Sequence, residues 1–150
     1  MKKFSFSLQK VLEIKKQILE SYKAELSSLN NDLNIINEDI SSLKIHLTEI
    51  DNEFTNKSSV SISVGELAYY KMLMNSILKQ IENKEEEKQN LLKKIEAKRQ
   101  EIISMNMEIS SLDKLKEKEF EKYNKVFMKN EEIFIEEFVS NKSITKGYAI

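Results

Sequence analysis

One apolar repeat constrains this chain more than any other feature. Positions spaced alternately four and three apart from Leu8 are Leu8, Leu12, Lys15, Leu19, Tyr22, Leu26, Leu29, Leu33, Ile36, Ile40, Leu43, Leu47, Ile50 and Phe54. Thirteen of these fourteen are apolar, and Lys15 is the exception. A helix has 3.6 residues per turn, so a 3.5-residue repeat keeps one stripe turned toward a supercoiled partner helix. The repeat runs well past the three or four heptads that mark a coiled coil. Ser7 is positioned to cap the first turn, and Phe6 to pack on Val11 as a hydrophobic staple.

The pattern stops at Phe54. Residues 55–65 are rich in Ser and β-branched side chains and hold one of the two glycines, Gly65, which predicts a loop. Ser63 followed by Glu66 reads as a capping box that starts a second helix. A second seam follows: Leu67, Tyr70, Met74, Ile77, Ile81, Lys84, Lys88, Leu91, Ile95, Lys98, Ile102, Met105, Ile109 and Leu112. Its three lysines can lay their stems on apolar surface while the ammonium reaches water, and polar seam residues fix register at some cost in stability.

After Leu112 the aromatic stripe Phe120, Tyr123, Phe127, Phe134 and Phe138, led by Lys116, continues the seam only with a stutter near 116–120. The reading is an all-α chain: one long antiparallel two-helix coiled-coil hairpin, the second helix longer than the first. Helix 1 is predicted at about 7–54, the loop at 55–65, helix 2 at about 66–138 and a flexible tail at 139–150. If Phe54 faces Leu67, partner numbers sum to about 121 and Leu8 falls opposite Asp113. At ~1.5 Å per residue the helices measure roughly 70 Å and 105–110 Å, so the second overhangs by about 25 residues. An aromatic stripe without an intrachain partner is unstable alone in water. It binds another protein, pairs with a second copy, or bends back.

Composition narrows the function. With 2 Gly and no Pro among 150 residues, a sandwich, barrel or doubly wound sheet lacks its turns. No Cys and one His, His46, leave no thiolate site and no multi-histidine metal site; His46 reads as a flanking side chain. The 24 basic and 25 acidic residues nearly cancel, and Arg99 is the only arginine, so nothing favours nucleic acid. The N-terminus lacks an apolar signal-peptide core, and no run suits a membrane span, so the expectation is a cytoplasmic chain. Residues 79–101 hold 13 charges in 23 positions, the pattern of a solvated helix face. Glu85, Glu86 and Glu87 point in three directions and cannot converge on one cation. A two-helix strip is expected to bury a seam but no pocket of ~300 Å³ or more. The reading is therefore a non-enzyme, with no catalytic residue, cofactor or metal, that binds, spaces or transmits.

The run Phe4-Ser5-Phe6-Ser7-Leu8-Gln9-Lys10-Val11-Leu12-Glu13-Ile14-Lys15 resembles the opening of the FliJ family of the bacterial flagellar type III export apparatus. The aromatics at 4 and 6, Leu8-Gln9-Lys10 and Val11-Leu12 carry the match, and the total length and the shorter first helix agree. The resemblance implies an antiparallel coiled coil similar to the central stalk of rotary ATPases. Such proteins engage the hexameric export ATPase, promote its activity, contact the membrane-embedded export gate and escort export chaperones. Their membrane association is peripheral, through protein partners.

The resemblance also implies a gate-binding face early in the second helix, matched here by Tyr70, Leu73, Ile77, Ile81 and Lys84. Leu73 stands where the family often has an aromatic. Tyr70, Ile77 and Ile81 are equally seam positions and fit a plain coiled-coil core. The open end, with Phe4, Phe6, Phe120, Tyr123, Phe127, Phe134 and Phe138, is the expected surface for the ATPase ring or another partner. Two rival readings are a structural coiled-coil spacer or homo-oligomeric scaffold, and a prefoldin-like holding chaperone. The last needs strands, for which only Val60–Val64 offers β-branched residues.

Overall fold

The computed structural model describes the backbone of residues 2–148 and the side chains of residues 2–142. It contains two helices, α1 (Gln9–Ser58) and α2 (Val64–Tyr148). By packing, the chain divides into two units. Unit 1 is Met1–Leu19 with Ser104–Ile150, and unit 2 is Glu20–Ile103. No strand occurs among the described residues, so the segment around Val60–Val64 gives the prefoldin-like reading no support. No described helix is long and apolar enough to cross a membrane.

Both seams form the interhelical contact. Every one of their twenty-eight positions is buried or half-buried, and the buried ones include Leu12, Leu19, Ile40, Ile50, Tyr70, Ile77, Leu91, Ile95 and Ile109. The cause is the period itself: alternate steps of three and four keep each stripe facing the other helix, and the hydrophobic effect closes them together.

The helix ends lie further out than the composition suggested. α1 runs four residues past Phe54, to Ser58. Ser and Thr lower helix propensity by only tenths of a kcal/mol each, and the segment holds no Pro to stop the ladder. Thr55 supports the last turn by donating its hydroxyl to the Asp51 carbonyl at 2.8 Å. The turn then occupies only residues 59–63. Ser63 caps α2 as expected: its Oγ accepts from the Glu66 N–H at 3.1 Å, and its carbonyl accepts the Leu67 N–H at 3.0 Å. Gly65 is therefore helical rather than a loop residue, and no described residue has positive φ.

The shorter turn, centred on Ser61, moves the register. In unit 2 the cross-helix pairs Lys98–Glu25, Lys84–Asp39 and Tyr70–Glu53 each have residue numbers that add to 123, not 121. Phe54 accordingly meets Tyr70, with ring centroids 5.6 Å apart, instead of Leu67. In unit 1, Lys15 pairs with Glu108 at 2.7 Å in the same numerical register.

The N-terminus also departs from the expectation. The first helical bond runs from the Leu12 N–H to the Leu8 carbonyl at 3.0 Å, one residue later than a Ser7 cap would place it. The preceding turn is closed by Gln9 N–H donating to the Phe6 carbonyl at 3.1 Å. Phe6 is buried, but Val11 is 41% exposed, so the pair is no staple. Residues 2–6 form a non-helical arm. Of the expected tail, residues 139–142 are helical and exposed, and the α2 backbone runs on to Tyr148. Residues 149 and 150 lie outside the described residues.

Candidate partner-binding surfaces

Unit 2 ends in a compact apolar cluster beside the turn. Ile50, Tyr70 and Ile77 are buried there, with Leu43, Leu47, Phe54, Ile62, Leu73, Met74 and Ile81 packed around them. The Tyr70 hydroxyl donates to the Glu53 carboxylate at 3.0 Å. The Lys57 ammonium lies 5.5 Å from the Tyr70 ring centre. Hydrogen bonding to Tyr70 is the main influence that lifts the Lys57 pKa above the ordinary lysine range.

The five residues suggested for gate binding are thus mostly committed to the helix pair. Tyr70 and Ile77 are 4% exposed. Leu73 and Ile81 are half-buried. Lys84 is held between Asp39 and Glu87, each at 3.5 Å, and the Glu87 charge is the first cause that raises its pKa. The flank beside Leu73 is more open. Tyr69 is 54% and Met72 63% exposed there, and the three share one side of α2 at spacings of three and four. Sequence reasoning passed over Tyr69 and Met72 because it followed the seam. Their signal is apolar identity off the seam, which packing within the hairpin does not require.

Open grooves occur on both units. One of about 480 Å³ in unit 2 is lined by Asp32, Asp39, Lys84, Glu87, Leu91 and neighbours. Another of about 470 Å³ in unit 1 runs between the arm and residues Glu119, Lys122, Tyr123 and Val126 of α2. Both are open to solvent along their length, valleys of the surface rather than enclosed pockets. A helix pair has a valley on each side of its seam, and short side chains such as Asp32 and Asp39 leave that valley wide.

In unit 1 the arm covers the first part of the aromatic stripe. The Phe4 ring meets Phe120 edge-on at 5.1 Å and Tyr123 at 5.5 Å. Tyr123 stacks on Phe120 at 6.4 Å and Phe127 at 6.3 Å, and its hydroxyl donates to the Lys2 carbonyl at 2.8 Å. Phe120 was expected to begin an uncovered overhang, yet it has a partner in Phe4. Nor is there a stutter at 116–120. Leu112, Lys116, Glu119 and Tyr123 keep the three–four spacing and are half-buried, while Phe120, off that line, is 45% exposed. The phase shifts only between Tyr123 and Phe127, where the neighbour is an extended arm and imposes no heptad.

Beyond Phe127 the stripe is bare. Every described residue from Met128 to Lys142 is exposed, including Phe134 at 69% and Phe138 at 60%. Ile133, Ile135 and Val139 are exposed beside them. The structure therefore separates the predicted open-end residues into two sets. Phe4, Phe120, Tyr123 and Phe127 form an aromatic cluster with Phe6 buried nearby in sequence, and Phe134 and Phe138 are exposed further along α2.

No curated protein and no solved structure matches this chain. The family model described as "Flagellar FliJ protein" matches residues 4–147, from the aromatic arm to the far end of α2. With 150 residues in the chain, that match takes in the whole hairpin, and the chain belongs to the FliJ family of flagellar export proteins.

Proposed function

We propose that this chain is a non-enzymatic coiled-coil component that engages the hexameric flagellar export ATPase and promotes its activity. Family membership supports a place in the export apparatus. The observation that carries the finer reading is the bare stretch after Phe127. Four large apolar residues, Phe134, Ile135, Phe138 and Val139, lie exposed within six positions on one side of the helix. Exposed apolar surface of this kind marks an interface.

The flank of unit 2 carrying Tyr69, Met72 and Leu73 is the proposed contact for the export gate, with Lys84 at its edge. In this reading the gate meets the off-seam side chains, while Tyr70, Ile77 and Ile81 shape that flank from within. Escort of export chaperones and a peripheral cytoplasmic position at the flagellar base belong to the same proposal.

The test is ATP hydrolysis by the cognate export ATPase across a concentration series of this chain. A several-fold rise that saturates at a defined ratio of chain to ATPase, and that Phe134→Ser with Phe138→Ser removes, supports the reading. No rise with both proteins folded overturns it. A spacer or self-assembling scaffold is the second reading, since the same bare stretch suits self-association. Sedimentation of the chain alone separates the two.

A further inference from the structure

We infer that residues 128–142 receive an apolar segment with basic flanks from another protein, and not a second copy of this chain. The inference deepens the proposed role of this stretch and rests on the reading that a protein partner covers it.

At 100° per residue, Phe134, Phe138, Ile135, Met128 and Val139 share an arc of about 140°. That width matches the apolar face of a helix that packs against one partner. The surroundings of the arc are acidic. Glu132 and Glu136 flank one side with Lys129 behind them, Glu137 flanks the other, and Glu131 lies within the arc, so both edges nearest the apolar face are acidic. Lys129 and Lys142 are the only described cations between Met128 and Lys142. One of them is already used on the stripe itself, since the Lys142 ammonium lies 5.8 Å from the Phe138 ring centre.

These flanks disfavour self-pairing in either direction. In an antiparallel pair like flanks meet, so Glu132 and Glu136 face their own copies. In a parallel pair the Glu137 side faces the Glu132–Glu136 side. Both arrangements juxtapose like charges at the rim of an apolar contact, where charge sets the choice of partner.

The covered half of the same stripe shows what does fit. There the occupant is the arm Lys2-Lys3-Phe4-Ser5-Phe6, a basic segment that places an aromatic ring on Phe120 and Tyr123. The uncovered half repeats the aromatic surface and surrounds it with more acid. A segment with the arm's chemistry, cations beside large apolar side chains, is complementary to it.

Two synthetic helical peptides test the inference on the full-length chain. One carries a leucine stripe flanked by lysines, and the other the same stripe flanked by glutamates. Binding is read by fluorescence anisotropy at about 150 mM salt, where charges beyond about 8 Å are screened. The lysine peptide should bind at least about ten-fold more tightly, as rim charge complementarity predicts. Phe134→Ser with Phe138→Ser should abolish binding, and Glu132→Lys with Glu136→Lys should reverse the preference. All four side chains are exposed, so these variants should keep the wild-type helical signal. Equal affinity for the two peptides overturns the inference, as does binding that survives the Phe134 and Phe138 changes. So does a dimer in sedimentation that those changes dissolve, because a second copy would then be the occupant. The assay contains no export protein, so its failure leaves the ATPase reading to its own experiment.

Discussion

Lys98 and Glu25 meet across the two helices of unit 2, with the ammonium 2.5 Å from the carboxylate. Lys98 is a seam residue, and its side chain is only 16% exposed. Glu101 holds the same ammonium at 2.9 Å, and the Tyr22 ring lies 4.5 Å away. The pattern recurs along α2. Tyr70, Lys84 and Lys98 stand at successive steps of two heptads, and each reaches an acidic residue of α1, namely Glu53, Asp39 and Glu25. Each acid directly precedes a seam residue, Phe54, Ile40 or Leu26. A slip of the helices by one heptad in either direction would leave Asp32 as the only acid opposite any of the three, so the polar seam residues select the register.

Lys98→Glu should lower the melting temperature followed by circular dichroism, because it sets a third carboxylate against Glu25 and Glu101. Lys98→Met should leave it near wild type, since a well-packed apolar side chain often replaces a paired charge without loss. The pH dependence separates these effects. Hydrogen bonds that the Lys98 ammonium donates to Glu25 first and then to Glu101 lift its pKa well above the ordinary lysine range. A raised pKa means that the folded state holds the proton more tightly. Its stabilisation is thus complete below the unfolded value of about 10.4 and disappears as pH climbs through the folded value. Melting curves at pH 8 and pH 11 should show a larger fall for wild type than for Lys98→Met. Equal falls would show that the pair does not stabilise the fold.

The start of α2 offers two opposed substitutions. Ser63→Ala removes the acceptor for the Glu66 N–H and should cost about 1 kcal/mol. Gly65→Ala should stabilise by about 0.5 kcal/mol, by restricting the unfolded chain. Gly65 has no positive φ, and a methyl group there would meet only Ser63 Oγ at 3.9 Å. Urea unfolding of both variants checks the signs. A destabilised Gly65→Ala would mean that the residue serves as a turn after all.

The two seams could be read from the chain because one physical rule governs them. In a helix pair burial follows the 3.5-residue period, and even Lys15, Lys84, Lys88 and Lys98 obey it. The helix ends could not be read so well. Ser58, Ser59 and Ser61 differ little in propensity, so the turn is placed by contacts such as Phe54 on Tyr70, which lie outside any local window. That displacement of the turn moved the register by two. The arm was harder still. Phe4 and Phe120 are more than a hundred positions apart, and although both fell at the open end, Phe4 lies outside any helical period that would set its ring on Phe120. The candidate surfaces follow the same division: the bare stretch at Phe134 and Phe138 stood out as apolar residues without a seam partner. Tyr70 and Ile77 could not be separated from core by sequence, and they proved to be core.

The arm should be the part of unit 1 that opens most easily. Residues 2–6 form no helix, and their anchors are the Phe4 ring contacts and the bond from Tyr123 to the Lys2 carbonyl. Tyr123→Phe removes that bond at a cost of at most about 1 kcal/mol and keeps the ring stack. Phe4→Ala removes aromatic contacts worth about 0.5–1.5 kcal/mol beyond their buried area. Amide hydrogen exchange should speed up in Leu8 to Leu12 in Phe4→Ala while Leu91 to Ile95 stay protected. Unchanged exchange near the arm would mean that buried Phe6 alone anchors it.

Near the turn, folding and partner binding should separate by residue. Ile77 is 4% exposed within the Ile50–Tyr70 cluster, so Ile77→Ala should cost about 2–5 kcal/mol and lower the melting temperature. Tyr69 and Met72 are more than half exposed, so Tyr69→Ala with Met72→Ala should lower the melting temperature far less than Ile77→Ala, by no more than the loss of the edge-on Tyr69–Tyr70 contact, about 0.5–1.5 kcal/mol. If the gate docks on this flank, the same double variant should weaken binding to the cytoplasmic part of the export gate by about ten-fold or more, as expected when aromatic and Met anchors are removed from an interface. Leu73→Ser should fall between the two, because Leu73 touches the cluster and borders the exposed flank. Titration calorimetry against the gate fragment reads the affinity, and thermal melts read the fold. Loss of binding only in variants that also melt early would locate no gate contact on this flank. Loss in a stable Tyr69 and Met72 double variant would show that the contact lies off the seam.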